Sequence, residues 1–109
     1  MKYKMPKSMR DKRRYIKFSL DGDIDLSEED LRRALWDSAL KFLGVKGASG
    51  THLWISLWDR EEKTGIVRCS IGSVDDIIVS MKMITEIHGE RVNFLVSDVS
   101  GTIKSLESQ

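Results

Sequence analysis

The chain has 109 residues, 40% of them hydrophobic and 32% charged, with one cysteine and a formal net charge of +1. That length suits one domain with a buried core and is too short for two, and a lone cysteine excludes an internal disulfide and any cysteine-clustered metal site. The near-neutral total hides an asymmetry, because residues 1–17 hold eight Lys or Arg against one acid while the rest hold ten against sixteen. A basic start favours a polyanionic partner, since each phosphate contact releases counterions, but it equally describes a solvated tail. No apolar run approaches membrane-spanning length and no hydrophobic leader is seen, so a soluble, cytoplasmic protein is expected.

In chain order, residues 1–12 (MKYKMPKSMRDK) carry the only proline and read as a basic flexible arm, residues 13–106 as one domain and residues 107–109 as a tail. Arg14 to Leu20 alternates, with Ile16, Phe18 and Leu20 facing a core and Tyr15, Lys17 and Ser19 facing away. DGDIDL holds three aspartates, yet counting from Asp21 the sixth position is Leu26 and the twelfth Arg32, which breaks the calcium-loop pattern. The acids suit a helix N-terminus instead. Ser27 is placed as the N-cap and Gly44 as the residue past the helix end, with Leu31, Leu35, Ala39 and Phe42 as the buried stripe and Trp36 at its edge. VKGASG then reads as a flexible connector and lacks a phosphate-loop pattern.

THLWISLWDREEKTGIVRCSI reads as a β-hairpin whose tip is REEKTG. Strict alternation puts Leu53, Ile55 and Leu57 on the core side and His52, Trp54, Ser56 and Trp58 on a second face. On the return strand Val67, Cys69 and Ile71 oppose Ile66, Arg68 and Ser70, which makes Cys69 a buried thiol rather than a nucleophile. A second helix is predicted over Val74–His88, with Val74, Ile77, Ile78, Met81 and Ile84 inward, Gly89 closing it and His88 as a surface or capping residue. Arg91 to Val99 is the last strand, and SGTIKSLE forms a short helical tail.

The order β, α, β, β, α, β is that of an α+β, ferredoxin-like or RRM-like sandwich: a four-stranded antiparallel sheet, strand order 4-1-3-2, with two helices on one face. The opposite face is left open. No nucleophile–base set, paired-carboxylate motif, nucleotide loop or zinc pattern emerges, so no catalytic residue, metal ligand or bound cofactor is expected. RNA-recognition motifs stack bases on aromatics of the two central strands, typically within an RNP1 run on the third, where this chain has Ile66 and Arg68. Trp54 and Trp58, on the edge strand, are free to meet another protein, RNA or the chain's own tail.

RDKRRYIKF, TGIVRCSIGSVDDIIVSMKMITEIHGERV and VSGTIKSL, in this order, resemble the archaeal ribonuclease P protein component 2 family, related to the Pop subunits of the eukaryal enzyme. The resemblance runs from about Arg10 to Leu106. It implies a non-catalytic subunit that binds and stabilises the ribonuclease P RNA, which uses magnesium to remove the 5′ leader from precursor tRNA. It further implies pairing with ribonuclease P protein component 3, a barrel-like protein, and self-association giving a heterotetramer. On that reading Lys12, Arg13, Arg14 and Lys17 are the leading RNA contacts, Arg68 and Lys104 further ones, and Trp54, Trp58 and Ile66 the surface for a protein partner. The other readings of the residues are a protein-interaction module and a ferredoxin-like ligand-binding regulatory domain.

Overall fold

A computed structural model describes residues 13–107; the basic arm, Lys12 included, and the last two residues lie outside the described residues. The strands are β1 (Arg13–Asp21), β2 (Trp54–Asp59), β3 (Thr64–Ser70), β4 (Glu86–Ile87), β5 (Glu90–Arg91) and β6 (Asn93–Ser100). The helices are α1 (Glu28–Gly50), α2 (Val74–Lys82) and α3 (Ile103–Glu107). The main sheet is antiparallel with the order β2-β3-β1-β6, the expected ferredoxin-like topology, while β4 and β5 make a separate two-stranded ribbon. No helix among the described residues is long and apolar enough to cross a membrane.

The core lies between the sheet and the α1–α2 layer. Ile16, Phe18, Leu20, Val67, Cys69 and Phe94 come from the strands and meet Leu31, Leu35, Ile77 and Met81 from the helices. α1 starts where a cap is available: the Ser27 hydroxyl accepts from the Asp30 N–H at 3.2 Å, with Glu28, Glu29 and Asp30 in the first turn. The two helices are fixed to each other by the buried Ser38 hydroxyl, which donates to the Ser80 carbonyl at 2.6 Å.

Four local readings of the sequence need correction. Gly44 does interrupt α1, at φ 75°, but residues 45–50 resume a helix rather than forming a flexible connector. Buried Ala48 and Thr51 hold that turn down, the Thr51 hydroxyl donating to the Ala48 carbonyl at 2.7 Å and the Thr51 carbonyl accepting from the Ser70 N–H at 2.8 Å. Phe42, assigned to the buried stripe, is 42% exposed because α1 breaks two residues later.

α2 stops at Lys82 instead of reaching His88. His88 and Gly89 both take positive φ, 53° and 82°, and form the two-residue turn between β4 and β5. A two-residue hairpin turn with positive φ at both positions matches the right-handed twist of its strands, so His-Gly closes a ribbon where helical spacing alone suggested another turn of helix. Ile84 and Ile87 still reach the core, which is why the 3.6-residue pattern persisted in the sequence.

The last correction bears on function. The register of β2 against β3 passes from Ile55↔Val67 to Leu57↔Ile66, so two β2 residues oppose one on β3 across a bulge at Ser56. Beyond the bulge the faces exchange: Leu57 turns outward, 44% exposed, and Trp58 turns to the core. The Trp58 ring stacks on Phe18, with centroids 6.0 Å apart and planes within 12°, and its indole N–H donates to the Leu26 carbonyl at 2.8 Å. Gly65 pairs with both Trp58 and Phe18, and a Cβ there would lie 2.8 Å from the Leu57 carbonyl oxygen and 2.9 Å from the Phe18 ring.

Gly65→Ala is expected to destabilise the fold by about 1–3 kcal/mol, the usual range for overpacking a close-fitted core; an unchanged urea midpoint would contradict this reading. Burial also pushes the Cys69 thiol up to about 11, from an ordinary value of 9.0. Between these values the unfolded chain loses the thiol proton while the folded chain keeps it, so folding stability falls as pH rises, by at most about 1.4 kcal/mol per pH unit. Denaturant melts from pH 8.5 to 10.5 are expected to show a shallower loss for Cys69→Ala than for the unaltered chain.

Candidate nucleic-acid interface

The sheet face turned away from α1 and α2 is built in cross-strand rows. Trp54 pairs with Arg68, Arg68 with Tyr15, and Tyr15 with Ser100, so these four side chains form one row across β2, β3, β1 and β6. The next row is Leu57, Ile66, Lys17 and Asp98. Toward the start of β1, Arg13 stands opposite Ser70 and is exposed.

α3 divides this face. The Thr102 hydroxyl accepts from the Ser105 N–H at 3.3 Å and starts the helix, Leu106 is fully buried, and the Lys17 ammonium donates to the Leu106 carbonyl at 3.3 Å. Leu106, Lys17, Leu57, Ile66, Thr64 and Gly65 border a small depression of about 200 Å³. Ile66 is therefore covered and Lys17 engaged, while Trp54 is exposed and Arg68 and Tyr15 are half-buried.

These placements sort the residues singled out from the sequence. Arg13 and Arg68 share the open side, Arg13 exposed and Arg68 half-buried, and Lys104 is an exposed residue of α3. Arg14 alternates to the helix side, opposite Cys69, and its guanidinium donates to the Arg13 carbonyl at 2.7 Å. Lys17 is on the open face but engaged by α3. Of the three side chains assigned to a protein partner, only Trp54 is an exposed surface group, at 55%. Trp58 belongs to the core, and Ile66, 2% exposed, is covered on the face expected to be bare. Sequence reasoning missed Leu57 as an outward residue and the exposure of Phe42, Val45, Val79 and Met83 on the helix layer. The available signal was Gly65, which leaves room for two large rings to meet across it.

Of the three aspartates between Asp21 and Leu26, Asp25 serves a structural contact. Asp25 takes two hydrogen bonds from Arg60, at 2.6 and 3.2 Å, and the Lys63 ammonium donates to the Gly22 carbonyl, so the loop is tied to the hairpin tip. The Arg60 guanidinium holds the Asp25 carboxyl below its usual range. A broader concavity of about 420 Å³ lies between α1 and the β4–β5 ribbon, bordered by Asp30, Asp37 and Glu86 and by Arg33, Lys41 and His88. Its charges largely answer one another, with Arg33 3.8 Å and His88 3.9 Å from Asp30. Among the described residues no group of three or more His, Cys, Asp or Glu gathers to hold a metal ion.

A model of the Rpp14/Pop5 family matches residues 9–109. The chain is 36% identical over 103 residues to ribonuclease P protein component 2 of Thermococcus kodakarensis, covering 94% of this chain and 86% of that one. With the protein of the same description from Archaeoglobus fulgidus it shares 38% identity over 101 residues, covering 92% and 89%. A chain in the cryo-EM structure of yeast ribonuclease MRP superposes with a TM-score of 0.70 at 14% identity, over 84% of this chain and 75% of that one, and so shares its fold. Match length and identity over nearly the whole sequence agree: the chain belongs to the Rpp14/Pop5 family.

Proposed function

We propose that this chain is a non-catalytic protein subunit of ribonuclease P, which binds and stabilises the RNA that removes the 5′ leader from precursor tRNA. The observation that carries the reading is that Arg13 and Arg68 share one face of the sheet, next to the point where the basic residues 1–12 join β1, with exposed Lys104 on the helix that packs on that face. An RNA folded tightly enough to act accumulates phosphate charge, and protein cations set at fixed positions lower that repulsion and with it the demand for metal ions. Magnesium and the hydrolytic step belong to the RNA, and the protein acts on its fold. Arg13, Arg68 and Lys104 are the principal contacts, with Lys12 and Arg14 contributing where the arm enters. Lys17 joins them only when α3 moves.

The protein partners are a barrel-like component 3 and a second copy of the chain within a heterotetramer. Exposed Phe42, Val45, Val79 and Met83 support a protein contact on the helix layer, which would leave the sheet free for RNA. A cytoplasmic place of action follows from the tRNA-processing role.

Reconstituting the RNA and its protein partners with and without this chain, and following pre-tRNA cleavage, is the direct test. Cleavage at low magnesium is expected to rise with the chain present; the same rate in both mixtures would reject the proposal. Replacing both Arg13 and Lys104 by alanine is expected to weaken RNA binding and to reduce the slope of log affinity against log salt by roughly 1.4 to 1.8, taking about 0.7 to 0.9 per lost phosphate contact. A slope that does not move would remove these two residues from the interface.

A further inference from the structure

The geometry points to the row Trp54–Arg68–Tyr15 as a stacking platform for an unpaired nucleotide of the bound RNA, a reading that rests on the RNA-subunit role and adds a specific subsite to it. Base stacking in sheets of this kind is sought on the third strand, where this chain has no aromatic; here the rings stand on the two flanking strands with an arginine between them. Arg68 pairs in register with Trp54 on one side and Tyr15 on the other, all three on the open face. Neighbouring strands lie about 4.8 Å apart, so the row spans roughly 10 Å, enough for one or two bases.

Three further observations favour an RNA occupant. Trp54 is 55% exposed although it is among the largest apolar groups of the chain. Arg68 is half-buried, and among the described residues its guanidinium has no hydrogen-bond or ion-pair partner, so a ligand offering acceptors would complete it. α3 covers the adjoining residues Ile66 and Lys17 through Leu106, while Arg13, two residues before Tyr15 on the same strand, adds a cation to the same face. Trp, Tyr and Arg are common at protein contacts as well, and what favours RNA is charge: Arg68 within the row, Arg13 on the same face and the basic residues that lead into β1 make a ring surface with cations, which fits a π-faced, anionic ligand. A flat sheet face reaches only bases that are free of a duplex stack, which selects a loop, bulge or end.

The test uses the full chain assembled with the ribonuclease P RNA and its protein partners, comparing Trp54→Phe, Trp54→Leu and the unaltered chain, each first checked for an unchanged thermal melt. Trp54→Leu keeps apolar bulk and loses the ring face, and is expected to weaken RNA binding about tenfold, with the salt slope unchanged because no phosphate contact is lost. Trp54→Phe is expected to stay within about threefold of the unaltered chain, since a smaller ring still stacks. RNA carrying 5-iodouridine is expected to cross-link to the peptide containing Trp54. Equal affinity of the leucine variant, or a cross-link confined to other peptides, overturns the platform while leaving the subunit role standing. Normal RNA binding with loss of a protein partner in the leucine variant also overturns it, by making the row a protein surface. An unaltered chain that neither binds the RNA nor promotes cleavage takes down both readings.

Discussion

The fold depends on two rings closing over a residue that has no side chain. Gly65 lies between Phe18 and Trp58 in the pairing of β1, β3 and β2, and its missing Cβ is what lets the rings stack 6.0 Å apart. For Trp58 to reach that position the edge strand must gain a residue, and the bulge at Ser56 supplies it. A glycine in the middle of a strand weakens it by removing a packing group; here the neighbouring aromatics replace that contact and anchor the hairpin to the loop leading into α1 through the Leu26 carbonyl.

The same bulge decides what the outer face is made of. Had β2 alternated without interruption, both hairpin tryptophans would have stood on the open side and formed a broad adhesive surface. With the exchange of faces, one tryptophan enters the core and Leu57 comes out to border the Leu106 contact. The result is a face in two parts: an apolar half closed by the chain's own last helix, and a half carrying a tryptophan, a tyrosine and arginines. Cationic groups and a flat ring surface are the features on which the proposed RNA role rests.

The layout of the domain was legible because it rests on periodicity and on capping chemistry that act locally. Ser27 at the start of α1, Gly44 at its break, and the alternation of Ile16, Phe18 and Leu20 each state their structure within a few residues. What was illegible came from contacts between distant parts of the chain. Trp58 is drawn inward by Phe18 and Leu26, forty and thirty-two positions away in sequence. Ile66 is covered by a helix that begins thirty-seven residues later. Ile84 and Ile87 kept helical spacing while the His88–Gly89 turn imposed a ribbon, so two local signals disagreed and the turn prevailed. The candidate interface inherits both qualities: its cations and Trp54 could be listed from the sequence, but their sharing of one row required the register.

Buried Leu106 and the Lys17 ammonium are two of the contacts that hold α3 to the sheet. A helix of five residues is too short to be stable alone in water, so α3 depends on its packing against the sheet. Its detachment uncovers Ile66, frees Lys17 and widens the docking footprint without disturbing the core. The breadth of that face is thus set by a five-residue clasp at the end of the domain.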